Sequence, residues 1–248
     1  MTQDRLGPDD DALVKELVVA NHILYQRGIV DGFGHVSARR PRAPSTFLIS
    51  RSLAPQLVEA SDIQVYGLDG DERNGDTRRG YLERFIHSEI YRARPDVMAV
   101  IHSHSPAVLP FSIVKDQPLR PVSHMAGFIG TAAPVYEIRD NAGTCSDMLI
   151  RTPDLGRTLA ASLGEDTVVL MRGHGSTVVG ASLEQAVFRA LYVEQNARTQ
   201  LAALQLGEVT YLTPEEAAAA DLTNNGQVSR AFDLWKREVE EQAADGQV

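Results

Sequence analysis

A chain of 248 residues, 43% hydrophobic and 23% charged, has ordinary globular composition and is long enough to bury a complete core. Its formal net charge of −9, with no basic run interleaved with aromatics, excludes nucleic acid as an expected partner. The longest apolar stretches, 97–101 and 167–171, fall far short of the roughly 20 residues a membrane helix needs. The polar, acidic start at 1–11 lacks a secretory pattern, so a cytoplasmic protein with no membrane partner is expected.

Leu13, Val14, Leu17, Val18 and Leu24 recur at helical spacing after an acidic cluster at 9–11, and Gly28 is placed to end that helix. Short segments rich in β-formers follow at 35–39, 47–50 and 63–66, with Leu68-Asp69-Gly70-Asp71 as a turn, and together they read as a meander. Residues 74–80 read as a loop, and a second helix runs over 83–91, stopping before Pro95. Segment 97–103 reads as a buried strand, and 135–138, 167–171 and 177–179 as further short strands of a mixed sheet. The strongest helix covers 182–206, with Leu183, Val187, Leu191, Ala197, Leu201 and Leu204 roughly on one side and Gly207 at its end. Pro214 begins a short helix, and 227–240 is amphipathic, carrying Phe232, Leu234 and Trp235. One domain is expected over 1–248, with its core at about 10–212 and a helical extension at about 213–248.

Cys145 is the only cysteine, so neither an internal disulfide nor a thiolate cluster can form, and any metal must be held by His and carboxylate. His102 and His104 stand at i and i+2 on an expected strand, where alternation sends both to one face. Such a pair can bind one cation, although the spacing alone fits a fortuitous pair equally well. His174 lies between Gly173 and Gly175, straight after an apolar strand. By itself it reads as a turn histidine; with the pair it makes three imidazoles that leave coordination positions open, the signature of a catalytic site. Glu83, near a helix start, is either a carboxylate complementing the helix dipole or, beside a metal in a partly dry pocket, a proton shuttle. His124 reads as a satisfied buried histidine, His22 and His87 need no role beyond packing or a hydrogen bond, and Tyr192 is placed to meet a neighbouring site in an assembly.

The run Glu83-x₃-His87-x₂-Ile90-Tyr91-x₂-Arg94-Pro95-Asp96-Val97, then Val100-x-His102-x-His104-Ser105, then Gly173-His174-Gly175, resembles the class II aldolase/adducin family. The resemblance spans about residues 14–206. It implies an α/β fold, a single-domain αβα sandwich with a largely antiparallel central sheet, usually assembled as a four-fold homotetramer with active sites at subunit boundaries. It also implies one divalent metal ion per subunit held by His102, His104 and His174, with Glu83 as acid/base. Three imidazoles suit Mn, Zn, Fe and Co alike.

Sugar-phosphate aldolases of this family carry Gly-Asn-x-Ser-x-Arg where this chain reads Gly34-His35-Val36-Ser37-Ala38-Arg39. Their Ser-Pro-Ser/Thr-Gly loop is here Ser50-Arg51-Ser52-Leu53, and their Ser-Ser pair before the acid/base is Tyr81-Leu82. A phosphate cradle of small residues has become bulky, basic or aromatic, so a sugar phosphate fits badly. His35, Ser50, Arg51, Ser52 and Tyr81 are expected to bind a flat anionic substrate, with Arg51 gripping a carboxylate bidentately. The chain is similar to the branch that decarboxylates hydroxylated aromatic or pyridine dicarboxylates, which implies a metal-dependent carboxy-lyase. The alternatives are an aldolase cleaving a non-phosphorylated hydroxy-keto acid and a non-catalytic, adducin-like interaction domain.

Overall fold

Short β-branched segments become central strands here because both of their faces meet apolar helices. In the computed structural model, which describes residues 6–244, the strands are β1 (His35–Arg39), β2 (Thr46–Ser50), β3 (Ile63–Gly67), β4 (Ala99–Ser103), β5 (Val135–Tyr136), β6 (Val168–Met171) and β7 (Gly175–Gly180). All residues of β1 to β4, β6 and β7 are buried, the pattern of a sheet covered on both sides. Their order is β3-β2-β1-β4-β7-β6-β5, with every neighbouring pair antiparallel except β5 and β6. The expected meander is β1-β2-β3.

The helices are α1 (Asp11–Gln26), α2 (Arg84–Ala93), α3 (Leu109–Ile113), α4 (Arg139–Ala142), α5 (Pro153–Leu163), α6 (Leu183–Leu206), α7 (Pro214–Asn225) and α8 (Val228–Ala244). One face of the sheet, including Val36, Ala99, Ile101 and Val178, packs with Leu17 of α1, Val187 of α6 and Phe232 of α8. The other, including Phe47, Val100, Val169 and Val179, packs with Ile86 and Ile90 of α2 and Leu159 of α5. The result is the expected αβα sandwich. Among the described residues no helix is long and apolar enough to cross a membrane.

Some details differ from the expectations. The strand at 135–138 is cut to two residues because Ile138 has helical φ/ψ and starts α4. Helix α5 was not anticipated: Thr152 caps it by accepting from Leu155 N–H, and its internal Gly156 lets it approach α2, where a Cβ would lie 2.5 Å from Phe85 O. Leu234 faces solvent, while Phe232 and Trp235 of the same helix join the core.

The sheet also sets the site. Since Ala99 and Ile101 face the α1 side, Val100 and His102 face α2. The β1–β4 register pairs His35 with His102, making their rings neighbours. Gly34, at φ +93°, enters β1 where any Cβ would lie 2.7 Å from Val30 Cγ1 and 3.0 Å from His102 O, so only glycine fits.

Candidate metal centre and active site

His102 is fixed before any ligand arrives. Its Nδ1 meets the carbonyl of Ser176 at 3.1 Å, and a carbonyl only accepts, so Nδ1 carries the proton and the Nε2 lone pair is left bare. His104 follows β4, and its loop is pinned to α6 by the buried Glu194, which accepts from Ser105 Oγ at 2.7 Å and from Ala107 N–H at 3.1 Å. His174 is delivered by the tight β6–β7 turn, in which His174 N–H donates to Met171 O at 3.0 Å and Gly173 takes φ +64°.

These three rings converge. Their centroids are 4.9 to 5.1 Å apart, and one nitrogen from each lies within 4.8 Å of the others. Nε2 of His102 and Nε2 of His104 are buried atoms without a hydrogen-bond partner, and Nε2 of His174 faces the same Glu83 oxygen as Nε2 of His102. Orphaned buried nitrogens are costly unless something occupies the space between them. Burial first, then the neighbouring imidazoles, hold His102 well below its ordinary value and bring His174 down to about 4; burial also lowers His104. The rings are therefore neutral donors at neutral pH. This donor set fits a divalent cation with open coordination positions.

Glu83 occupies the N-cap position of α2 but caps nothing; its side chain turns into the sheet instead. Its Oε1 accepts from Ile150 N–H at 2.9 Å, and its Oε2 lies 3.6 Å from His174 Nε2 and 3.8 Å from His102 Nε2. Burial raises its pKa to about 7; Asp147 adds to the rise, while the Ile150 hydrogen bond and Arg151 oppose it. Such a group holds and releases a proton near neutral pH. His35, Glu83 and His102 form a second, overlapping donor group whose atoms also lie within 4.8 Å.

His102, His104 and Glu83 open into a cavity of about 500 Å³, whose wall includes Phe33, His35, Ser52, Arg79 and Tyr81. Ser50 is buried behind this wall: Tyr81 donates its hydroxyl to Leu53 O at 2.6 Å, so the Ser50 hydroxyl at 3.2 Å donates to Tyr81. Tyr81 therefore turns its ring, 4.6 Å from that of His35, toward the cavity. Arg51 does not line the cavity; its Nε donates to Asp62 at 2.7 Å, and the pair anchors the 50–53 turn. The cation on the wall is Arg79, exposed and without a side-chain hydrogen bond or ion pair among the described residues. Sequence reasoning missed Arg79, because it sits in a polar loop with no motif, and missed Phe33, whose ring is 71% exposed at the cavity mouth and 6.5 Å from that of His104.

The other histidines lie elsewhere or act indirectly. His124 is exposed, not buried as expected, because the kinked 3-10 segment His124–Ile129 turns it outward while Ala126, Phe128 and Ile129 face the core. His22 bonds Val58 O at 3.0 Å, and Tyr192 packs on Phe188 and Trp235. His87 is fully buried and bonds both His35 and Ser37, each at 2.6 Å.

A largely antiparallel sheet between helical layers, with imidazoles from β4 and the β6–β7 turn facing a carboxyl at the start of α2, defines a class II aldolase-type scaffold. Residues 15–201 match the family described as Class II Aldolase and Adducin N-terminal domain, and the chain belongs to that family. Its relatives include Decarboxylase tropJ of Talaromyces stipitatus, 39% identical over 92% of this chain and 94% of that protein. Another is the 3,4-dihydroxyphthalate decarboxylase of Arthrobacter keyseri, 31% identical over 90% of this chain and 91% of that protein. An aldolase II superfamily protein from Pseudomonas syringae superposes with a TM-score of 0.77 at 25% identity, over 97% of this chain and 96% of that one. The chain thus falls in a lyase family.

Proposed function

We propose that this protein is a metal-dependent carboxy-lyase that removes one carboxylate from a hydroxylated aromatic or pyridine dicarboxylate. The observation that carries the reading is the convergence of three neutral imidazoles, with the buried Nε2 atoms of His102 and His104 orphaned, beside a buried carboxyl with a pKa of about 7. His102, His104 and His174 would hold the cation, which acts as a Lewis acid toward substrate oxygens when bound. The decarboxylase relatives support carboxy-lyase over aldehyde-lyase chemistry.

Glu83 is the proton shuttle in this reading. Its carboxyl gives a proton to the ring carbon bearing the departing carboxylate; that carbon–carboxylate bond breaks, its electron pair returns to the ring, and carbon dioxide leaves. The resulting Glu83 carboxylate recovers its proton from solvent through the open cavity. The aromatic faces of Phe33 and Tyr81 suit a flat ring, and Arg79 suits the carboxylate that is retained. Arg51, committed to Asp62, would support the loop. The four-fold assembly implied by the family resemblance belongs to the same proposal.

The experiment is an assay of metal-reconstituted protein against ortho-hydroxy aromatic and pyridine dicarboxylates, recording carbon dioxide and aldehyde separately. Carbon dioxide alone is expected; aldehyde or pyruvate release would replace this reading with the aldolase one.

A further inference from the structure

Behind the cavity wall, a line of polar side chains runs into the core where only apolar packing is required. His35 Nδ1 meets His87 Nε2 at 2.6 Å, His87 Nδ1 meets Ser37 Oγ at 2.6 Å, and Ser37 Oγ meets Tyr91 OH at 2.8 Å. Ser37, His87 and Tyr91 are at most 1% exposed, and His35 is 4% exposed. Buried this deeply, both rings are neutral, so each carries one N–H and one lone pair.

That constraint gives the line a direction. The Tyr91 hydroxyl has two hydrogen-bonding neighbours among the described residues, Ser37 Oγ and the Val100 backbone; the latter lowers the phenol's pKa, as an N–H donor does, which leaves Ser37 Oγ as the acceptor. If Ser37 donated to Tyr91, the phenol proton would be buried without an acceptor, a costly arrangement. Tyr91 therefore donates to Ser37, Ser37 donates to His87 Nδ1, and His87 donates from Nε2 to His35 Nδ1. The remaining nitrogen of His35, Nε2, carries the proton.

We infer that His35 is a permanent N–H donor to a substrate oxygen in the cavity, its tautomer set by Tyr91, Ser37 and His87 acting as positioning residues. His35 lines the cavity, and its group includes Glu83 and His102 within 4.8 Å, so the donor faces the place where the acid/base acts. A protonated Nε2 has no lone pair for a metal. The overlapping donor group of His35, Glu83 and His102 is thereby ruled out as a cation site, and the cation is left to His102, His104 and His174. The inference rests on the proposed reading only in taking the ligand to be an oxyanion.

Two measurements test it separately. Nitrogen-15 NMR of ring-labelled histidine in the zinc-loaded, full-length protein, with His35 assigned by its loss in His35→Gln, is expected to show Nε2 protonated and Nδ1 bare. A protonated Nδ1 overturns the inference whatever the enzyme's activity. Calorimetric binding of 2,3-dihydroxybenzoate is then compared across variants. His87→Gln, whose amide can donate to His35 and accept from Ser37, is expected to bind within about 3-fold of wild type. His87→Phe and His35→Phe are expected to bind about 10- to 100-fold more weakly, as for loss of an oriented hydrogen bond to a charged group. Wild-type binding by His87→Phe, or no binding by the wild-type protein, overturns the donor role. The expected tautomer and binding without any carbon dioxide release would instead count against the decarboxylase reading alone.

Discussion

Replacing Glu83 by Gln should stabilise the metal-stripped protein while abolishing turnover. The folded carboxyl keeps its proton to about pH 7, whereas an ordinary glutamate releases it near 4.5. Below about pH 4.5 both folded and unfolded chains are protonated, and the buried group costs nothing extra. As pH rises from there the unfolded chain ionises favourably and the folded one does not, so stability falls until the folded value is passed. At about 1.4 kcal/mol per pH unit, the full deficit above pH 7 is roughly 3 kcal/mol. Glutamine stays neutral and still offers Ile150 N–H an acceptor, so it lacks this loss. Urea denaturation of both metal-stripped proteins between pH 4.5 and 8 reads the effect, because other titrating groups cancel in the difference. The gap should open with rising pH to roughly 3 kcal/mol in favour of the variant. Parallel stability curves would refute the claim that burial holds this carboxyl protonated.

His102→Ala and His174→Ala should each lose the bound divalent ion by elemental analysis and lose turnover with it, whereas Glu83→Gln should keep the ion and lose at least about 100-fold in turnover. Arg79→Gln should raise the KM for an ortho-hydroxy aromatic dicarboxylate by about 10- to 100-fold, and Arg51→Gln should leave it within about 3-fold; the reverse order would return the carboxylate grip to Arg51. Gly34→Ala forces a Cβ against Val30 and His102 O at a positive φ, and should cost about 1–3 kcal/mol in denaturant unfolding even without metal.

The strands are legible because β-branched runs such as 97–101 are continuous and bounded by Pro and Gly; alternation along β4 accounts for the face of His102, whereas His104 lies just past the strand and reaches the same site from the loop. Helix α5 was hidden by Gly156, which counts against a helix by propensity but is required by its contact with α2. The ring set was legible through motif spacing, yet the roles of its neighbours were not. His87 looks like an ordinary helix residue until β1 brings His35 and Ser37 against it. Arg51 and Arg79 are indistinguishable as residue types; Asp62, eleven positions beyond Arg51, decides which guanidinium is free. Long-range pairing of this kind leaves no local pattern to read.

The most direct test is to incubate the metal-loaded protein with 3,4-dihydroxyphthalate in deuterated water and follow both gas and product. One carbon dioxide per substrate, with deuterium on the ring carbon that lost its carboxylate, is the predicted result, and Glu83→Gln should show neither. Release of an aldehyde or keto acid from any substrate of the ortho-hydroxy dicarboxylate panel, or no turnover of that whole panel by protein carrying its full metal complement, would contradict it.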